Sequence, residues 1–266
     1  MRSGLQEEWF EGGQKASSVV YVHGLPNGLW EQWYPNEKRS FQGSYASGLP
    51  HGEWIFFHEN GRKAASETWK KGKKILNMSV WSQKGVLLKK EEWKEGLEDG
   101  EWQEWYESGE KKASCSYVQG KKDGKEIEWS SKGDVIHSCV FRKGVLDGVL
   151  LDCYEDGTLC YKGSFANGRP EGVHESMYEK EASSETQVKM QEERFLEGRL
   201  HGKQVAFYPN GQMKLESTYS RGVLDGPKRV FDEDGTLIFA AVYKAGCLEG
   251  EVFQKRTDGM DEVQCY

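Results

Sequence analysis

Long apolar runs are missing from this chain. No stretch approaches the ~18 consecutive apolar residues that a membrane-spanning helix needs. Met1 to Phe10 is polar and holds no apolar core of the secretory type, so a cytoplasmic location is expected. An excess of cations is missing too. The 36 Lys and Arg are outnumbered by 43 Asp and Glu, for a net charge of −7. Phosphate backbones and anionic lipid surfaces both call for clustered Lys and Arg. No nucleic-acid partner is therefore expected, and membrane association is disfavoured. The six cysteines (115, 139, 153, 160, 247 and 265) include no C-x-x-C pair, so no zinc site is expected. Phosphate loops, G-x-G-x-x-G, H-E-x-x-H and G-x-S-x-G are all absent. The expectation is no catalytic residue, no cofactor and no metal. No long segment has the 3.6-residue apolar period of a helix.

What is present is glycine, aromatic residues and a strict period. The chain has 32 Gly in 266 residues, about 12% against an ordinary ~7%. Eighteen of them form pairs four apart: Gly24 and Gly28, Gly48 and Gly52, Gly96 and Gly100, Gly120 and Gly124, Gly144 and Gly148, Gly168 and Gly172. After a six-residue insertion the pairs resume at Gly198 and Gly202, Gly222 and Gly226, Gly246 and Gly250. The step is 24 residues throughout, and Gly72 fits it with Leu76 in the partner position. A further series runs Gly13, Gly61, Gly85, Gly109, Gly133, Gly157, Gly211, Gly235 and Gly259, with Glu37 and Glu181 filling two places. Three residues before each pair stands a ring, from Tyr21, Tyr45 and Trp69 through to Tyr243. A second ring series holds Trp9, Trp33, Phe57, Trp81, Trp105, Trp129, Phe207 and Phe231.

Each period reads as two short strands and two turns. Asn60-Gly61, Asn210-Gly211, Asp156-Gly157 and Asp234-Gly235 are tight-turn dipeptides, because Gly accepts positive φ. The G-x-x-x-G stretch is read as the other turn. Strands joined only by short turns run antiparallel. The expected fold is all-β: an elongated, single-layer antiparallel β-meander solenoid of about ten 24-residue hairpin repeats. It forms one repeat domain over 1–266, with repeats over about 9–259.

The segment Tyr45-Ala-Ser-Gly-Leu-Pro-His-Gly-Glu-Trp-Ile-Phe-Phe-His-Glu-Asn-Gly-Arg-Lys resembles the MORN repeat, in particular the bacterial variant of YwqK-family antitoxins. Tyr208-Pro-Asn-Gly-Gln-Met-Lys resembles it as well. The resemblance implies an antiparallel β-sheet array used for protein contacts, sometimes proposed for lipid contacts. The repeats around Lys73–Val80 and Gly172–Glu193 depart from the pattern and are expected to be locally irregular.

Residues 179–194 are polar and replace a tight turn, so a longer solvated loop is expected there. Residues 255–266 are expected to cap the sheet end. The front of the chain, which starts in mid-repeat, leaves end-to-end self-association open. Cys115 and Cys139 occupy equivalent positions two strands apart and are not expected to bridge. Cys153 and Cys160 are placed to face each other across a turn. His51 and His201 precede a turn Gly where Asp stands elsewhere, so turn chemistry is expected of them. Asp232-Glu-Asp-Gly235 lacks the remainder of a calcium loop.

The function expected is a non-catalytic scaffold that binds a protein partner through an aromatic-lined sheet face with acidic residues at its rim. Trp33, Trp105 and Trp129 are the candidate partner-binding residues. An antitoxin-like role is a special case of this expectation. The alternative is a surface for glycan, choline or lipid headgroups.

Overall fold

The computed structural model describes residues 3–181, 184–255 and 261–265. It is all-β, and no helix among the described residues is long and apolar enough to cross a membrane. The chain divides into two compact units, Met1–Gly133 and Asp134–Tyr266. The first unit holds β1 (Gly4–Trp9), β2 (Lys15–Val22), β3 (Leu25–Trp33), β4 (Arg39–Ala46), β5 (Leu49–Phe57) and β6 (Lys63–Lys70). It continues with β7 (Lys73–Trp81), β8 (Leu87–Lys94), β9 (Leu97–Trp105), β10 (Lys111–Val118), β11 (Lys121–Lys122) and β12 (Gly124–Trp129). The second unit holds β13 (Val135–Arg142), β14 (Val145–Leu146), β15 (Gly148–Cys153), β16 (Leu159–Ala166), β17 (Arg169–Met177), β18 (Lys189–Leu196) and β19 (Arg199–Leu200). It closes with β20 (Gly202–Phe207), β21 (Met213–Ser220), β22 (Val223–Phe231), β23 (Leu237–Lys244), β24 (Cys247–Leu248), β25 (Glu251–Lys255) and β26 (Asp261–Cys265). In each unit the strands pair antiparallel in sequence order, the meander that the repeat implies, with β11/β12, β14/β15, β19/β20 and β24/β25 each two pieces of one strand on the same neighbour.

The two turns of a repeat differ in kind. In the first, Val22 pairs with Leu25, so only His23 and Gly24 form the loop. Both have positive φ, 51° and 84°. This is the type I′ hairpin turn, whose twist matches that of the strands it joins. Gly48, Gly72, Gly96 and Gly120 close the same turn in the first unit, each preceded by a non-Gly residue at φ near 50°. In the first unit the second Gly of each pair lies beyond the turn, inside the following strand. Gly28 sits where the β2–β3 register shifts between Val19 and Tyr21, opposite Tyr45 on the other side. It is a bulge residue, so the G-x-x-x-G stretch is one turn followed by one bulge.

The other turn runs from Tyr34 to Lys38. The Glu37 N–H donates to Tyr34 O at 3.0 Å, the Tyr34 N–H donates to Lys38 O at 2.8 Å, and Glu37 has φ 62°. This is a three-residue loop ending in a left-handed residue. Gly61, Gly85 and Gly109 take that place in the next repeats. A second register shift lies just before it, between Gln32 and Trp33.

Two expectations need correction. Lys73–Val80 is regular: β7 runs unbroken through it, with Leu76 itself adopting φ 61° in place of Gly. The polar insertion is shorter than 179–194. The chain leaves β17 at Met177 and re-enters the ladder at Lys189, so only the residues between are loop. Of these, 182 and 183 lie outside the described residues. Part of the cap at 255–266 also lies outside them, while Asp261–Cys265 pairs with Glu251–Lys255.

Candidate functional site: two ring-bearing faces

Side chains alternate between faces along a strand. In β3 this puts Trp30 and Gln32 on one face and Glu31 and Trp33 on the other. The two ring series therefore lie on opposite faces, rather than forming one stripe.

The first face is packed. Phe41, buried, meets Trp30 at 5.4 Å, Trp54 at 5.1 Å and Phe56 at 5.1 Å between ring centroids. Tyr45 joins at 5.2 Å from Trp54. Such edge-on and tilted pairs exceed simple area burial by about 0.5–1.5 kcal/mol each. A row of small residues makes room for them. A Cβ on Gly43 would stand 2.6 Å from the ζ carbon of Phe41 and 2.9 Å from Trp54. The equivalent residue in the second unit is Gly163, where a Cβ would stand 2.5 Å from His174 Nδ1. His174 is buried among Phe165 and Phe195, with Nδ1 2.5 Å from Tyr161 Oη and Nε2 2.8 Å from Ser164 O. Glu91, only 3% exposed, takes the same row in another repeat. Lys89 Nζ at 2.6 Å and the Trp93 indole N–H at 2.9 Å satisfy it.

The opposite face carries Trp33, Trp105 and Trp129, all half-buried. Cations interleave with the rings. Lys15 stands opposite Trp9 in register and lies 5.5 Å from the Trp33 centroid. Lys111 stands opposite Trp105 and lies 5.9 Å from Trp129. Arg39 stands opposite Trp33. Carboxylates engage cations on this face: Glu7 with Lys15, Glu31 with Arg39 at 2.9 Å, and, in the next repeat, Glu53 with Lys63 at 3.9 Å. Trp9, in the end strand, is 56% exposed. The surface thus presents rings beside cations, of which Lys15 and Arg39 are already tied to carboxylates.

Neighbouring repeats are stitched by side chains that the sequence reading passed over. Tyr34 Oη donates to Phe57 O at 2.7 Å, and Tyr106 Oη donates to Trp129 O at 2.7 Å. Tyr154, Tyr178 and Tyr208 repeat the bond in the second unit at 2.8–3.0 Å. The signal was a tyrosine directly after the second ring position, recurring with the period. At the type I′ edge, the residue before the bulge Gly receives the N–H of the next turn. Asn27 Oδ1 accepts from Ser47 at 3.0 Å and Asp225 Oδ1 from Ala245 at 3.3 Å. His201 Nδ1 accepts from Arg221 at 3.4 Å, the turn role expected of that histidine. Asp232 Oδ1 accepts the N–H groups of Asp234 and Thr236, so it too is a turn residue.

The cysteines divide by setting. Cys153 stands opposite Leu159, with Cys160 in the adjoining bulge, and no disulfide joins them. Burial pushes the Cys153 thiol up, and Asp152 and Cys160 add to the effect. In the second unit His137 pairs in register with Asp152. Its Nδ1 lies 2.5 Å from Asp152 Oδ1, and its Nε2 lies 3.3 Å from Cys139 Sγ. Cys139 is 2% exposed.

Residues 50–71, 98–119 and 200–221 match the MORN repeat variant. Three hairpins of this chain thus carry that repeat. Each matched MORN segment runs from the strand after a type I′ turn, round the three-residue loop, to the first residue of the next type I′ turn. No curated protein matches the chain. Among solved structures, a chain of the TcdB2-TccC3 crystal structure aligns with 97% of this chain at 9% identity and a TM-score of 0.23. A chain of TcdB2-TccC3-Cdc42 aligns over the same share at 9% identity and a TM-score of 0.19. This chain spans only 18% and 17% of those chains.

Proposed function

We propose that this protein is a non-catalytic repeat scaffold that binds a protein partner through the face bearing Trp33, Trp105 and Trp129. The observation that carries the reading is the division of rings between faces. One face is consumed by its own packing. The other keeps half-exposed indoles beside Lys15, Arg39 and Lys111. Trp and Arg are the residue types that most often anchor protein interfaces. The ion pairs already made by Lys15 and Arg39 lower the desolvation cost of covering them. A toxin is one such partner, in keeping with the antitoxin-like variant that the repeat resembles. The described thiols, none in a disulfide, suit a reducing compartment and hence the cytoplasm. The absence of catalysis is supported by Cys139, whose sulfur lies beside an imidazole but too deep to meet a substrate carbon.

The test is affinity purification of the tagged chain from its native extract, compared with a Trp33→Ala/Trp105→Ala/Trp129→Ala variant. One stoichiometric protein retained by the wild type and lost by the variant is expected. Equal retention by both would reject this face. An empty wild-type pull-down would reject a protein partner and turn attention to glycan, choline or lipid headgroups.

A further inference from the structure

We propose that His137 and Cys139 form the core of a binding site for a thiophilic divalent cation of the zinc class, with Asp152 orienting the imidazole. Both ligands lie on β13, two residues apart and so on one face. Register brings Asp152 of β15 opposite His137. The carboxylate takes the Nδ1–H at 2.5 Å, which turns the Nε2 lone pair toward Cys139 Sγ at 3.3 Å. Nitrogen at ~2.0–2.1 Å and sulfur at ~2.3 Å from a tetrahedral ion stand roughly 3.5 Å apart. The two donor atoms are already near that separation. A carboxylate on the far nitrogen of a metal-bound histidine is the usual supporting arrangement, since it fixes the tautomer and raises ligand basicity.

Packing alone does not call for a cysteine here. Cys139 belongs to the central row in which Gly163, Ser217 and Ala241 stand in other repeats of this unit, all of them buried. Depth disfavours nucleophilic catalysis but not coordination. An attacking sulfur must meet an incoming substrate, whereas a metal ion needs only the lone pairs. The His137 side chain, 26% exposed, leaves a route to them. On binding, the Cys139 S–H bond breaks and a sulfur–metal bond forms. The proton passes to solvent, and one positive charge remains on the thiolate-bound ion.

The test is titration of the reduced full-length chain with cobalt(II), reading the thiolate-to-cobalt charge-transfer absorption and the bound metal per chain. One cobalt per chain with that absorption is expected. Cys139→Ala should abolish the absorption, and the variant should fold, because Ala241 and Ser217 hold the equivalent place. Asp152→Asn should weaken binding by about 10–100-fold. Cys153→Ala and Cys247→Ala should leave it unchanged. A wild type without the absorption, or absorption that survives Cys139→Ala, would overturn the site.

Discussion

Leu76 holds a backbone conformation that its own Cβ disfavours. It has φ 61° where the other repeats place Gly, and it is 63% exposed, so no packing compensates it. A left-handed L-residue costs about 1–2 kcal/mol, and Gly returns part of that gain as chain entropy. Leu76→Gly should therefore stabilise the first unit by about 0.5–1 kcal/mol, seen as a higher urea midpoint with unchanged slope. The opposite sign is expected at Gly43, where a methyl would collide with Phe41 and Trp54. Rings wedged between two strands cannot retreat without leaving their rotamers, so Gly43→Ala should cost about 1–3 kcal/mol. A cost near zero would show that these rings are loosely held. The contrast was only half legible in the sequence. The period located position 76, but Gly43 lies in neither glycine series, and only the packing shows that it is needed for its missing Cβ.

At the scale of elements, stability comes from bonds between repeats as well as from the ladder. Tyr106→Phe removes the hydroxyl bond to Trp129 O and nothing else, at a cost of about 1 kcal/mol. Amide exchange around Trp129 should quicken with it; an unchanged rate would mean that water substitutes for the hydroxyl. On the second unit's exposed face, Glu216 bridges Lys203 at 2.8 Å and Arg229 at 3.3 Å. The hydrogen bond from Lys203 is the main cause that holds its carboxyl below the ordinary 4.5. A depressed carboxylate pKa contributes stability above the unfolded value and loses it as pH falls through the folded one. Wild-type midpoints should thus drop below pH 4.5 more steeply than those of Glu216→Gln. Parallel curves would show that the pairs are fully screened. Strands, turns and antiparallel order were readable from spacing. The division of rings between faces was not, because two bulges per repeat interrupt the simple alternation of side chains. The αL residue before each turn Gly escaped notice as well, since His23, Ser47, Lys71 and Glu95 share no chemistry. His-x-Cys with an aspartate across the ladder was invisible to a search for ligands close in sequence, because register creates that proximity.

Within each unit the recurring fact is that the described strands pair in sequence order, and the described side-chain ties reach the next repeat. Stability should then behave as a sum of repeat and interface contributions. Removing one full period ought to leave every remaining contact a native equivalent. Deleting residues 61–84 joins Asn60 to Gly85 and so recreates an Asn-Gly turn of the kind found at Asn60-Gly61. It also puts Tyr34, whose partner is Phe57 O, and the strands on either side in unchanged register. Such a chain should fold, keep its β circular dichroism and lose only a modest part of its stability. Deleting residues 64–75, half a period, instead fuses Lys63 to Leu76 and moves the loop after Trp81 to the edge where type I′ turns stand. That variant should fail, since it exchanges the two turn edges and breaks the register between repeats. If the two deletions behaved alike, neighbour-only stabilisation would be wrong. Longer-range coupling between repeats would then have to hold the sheet together.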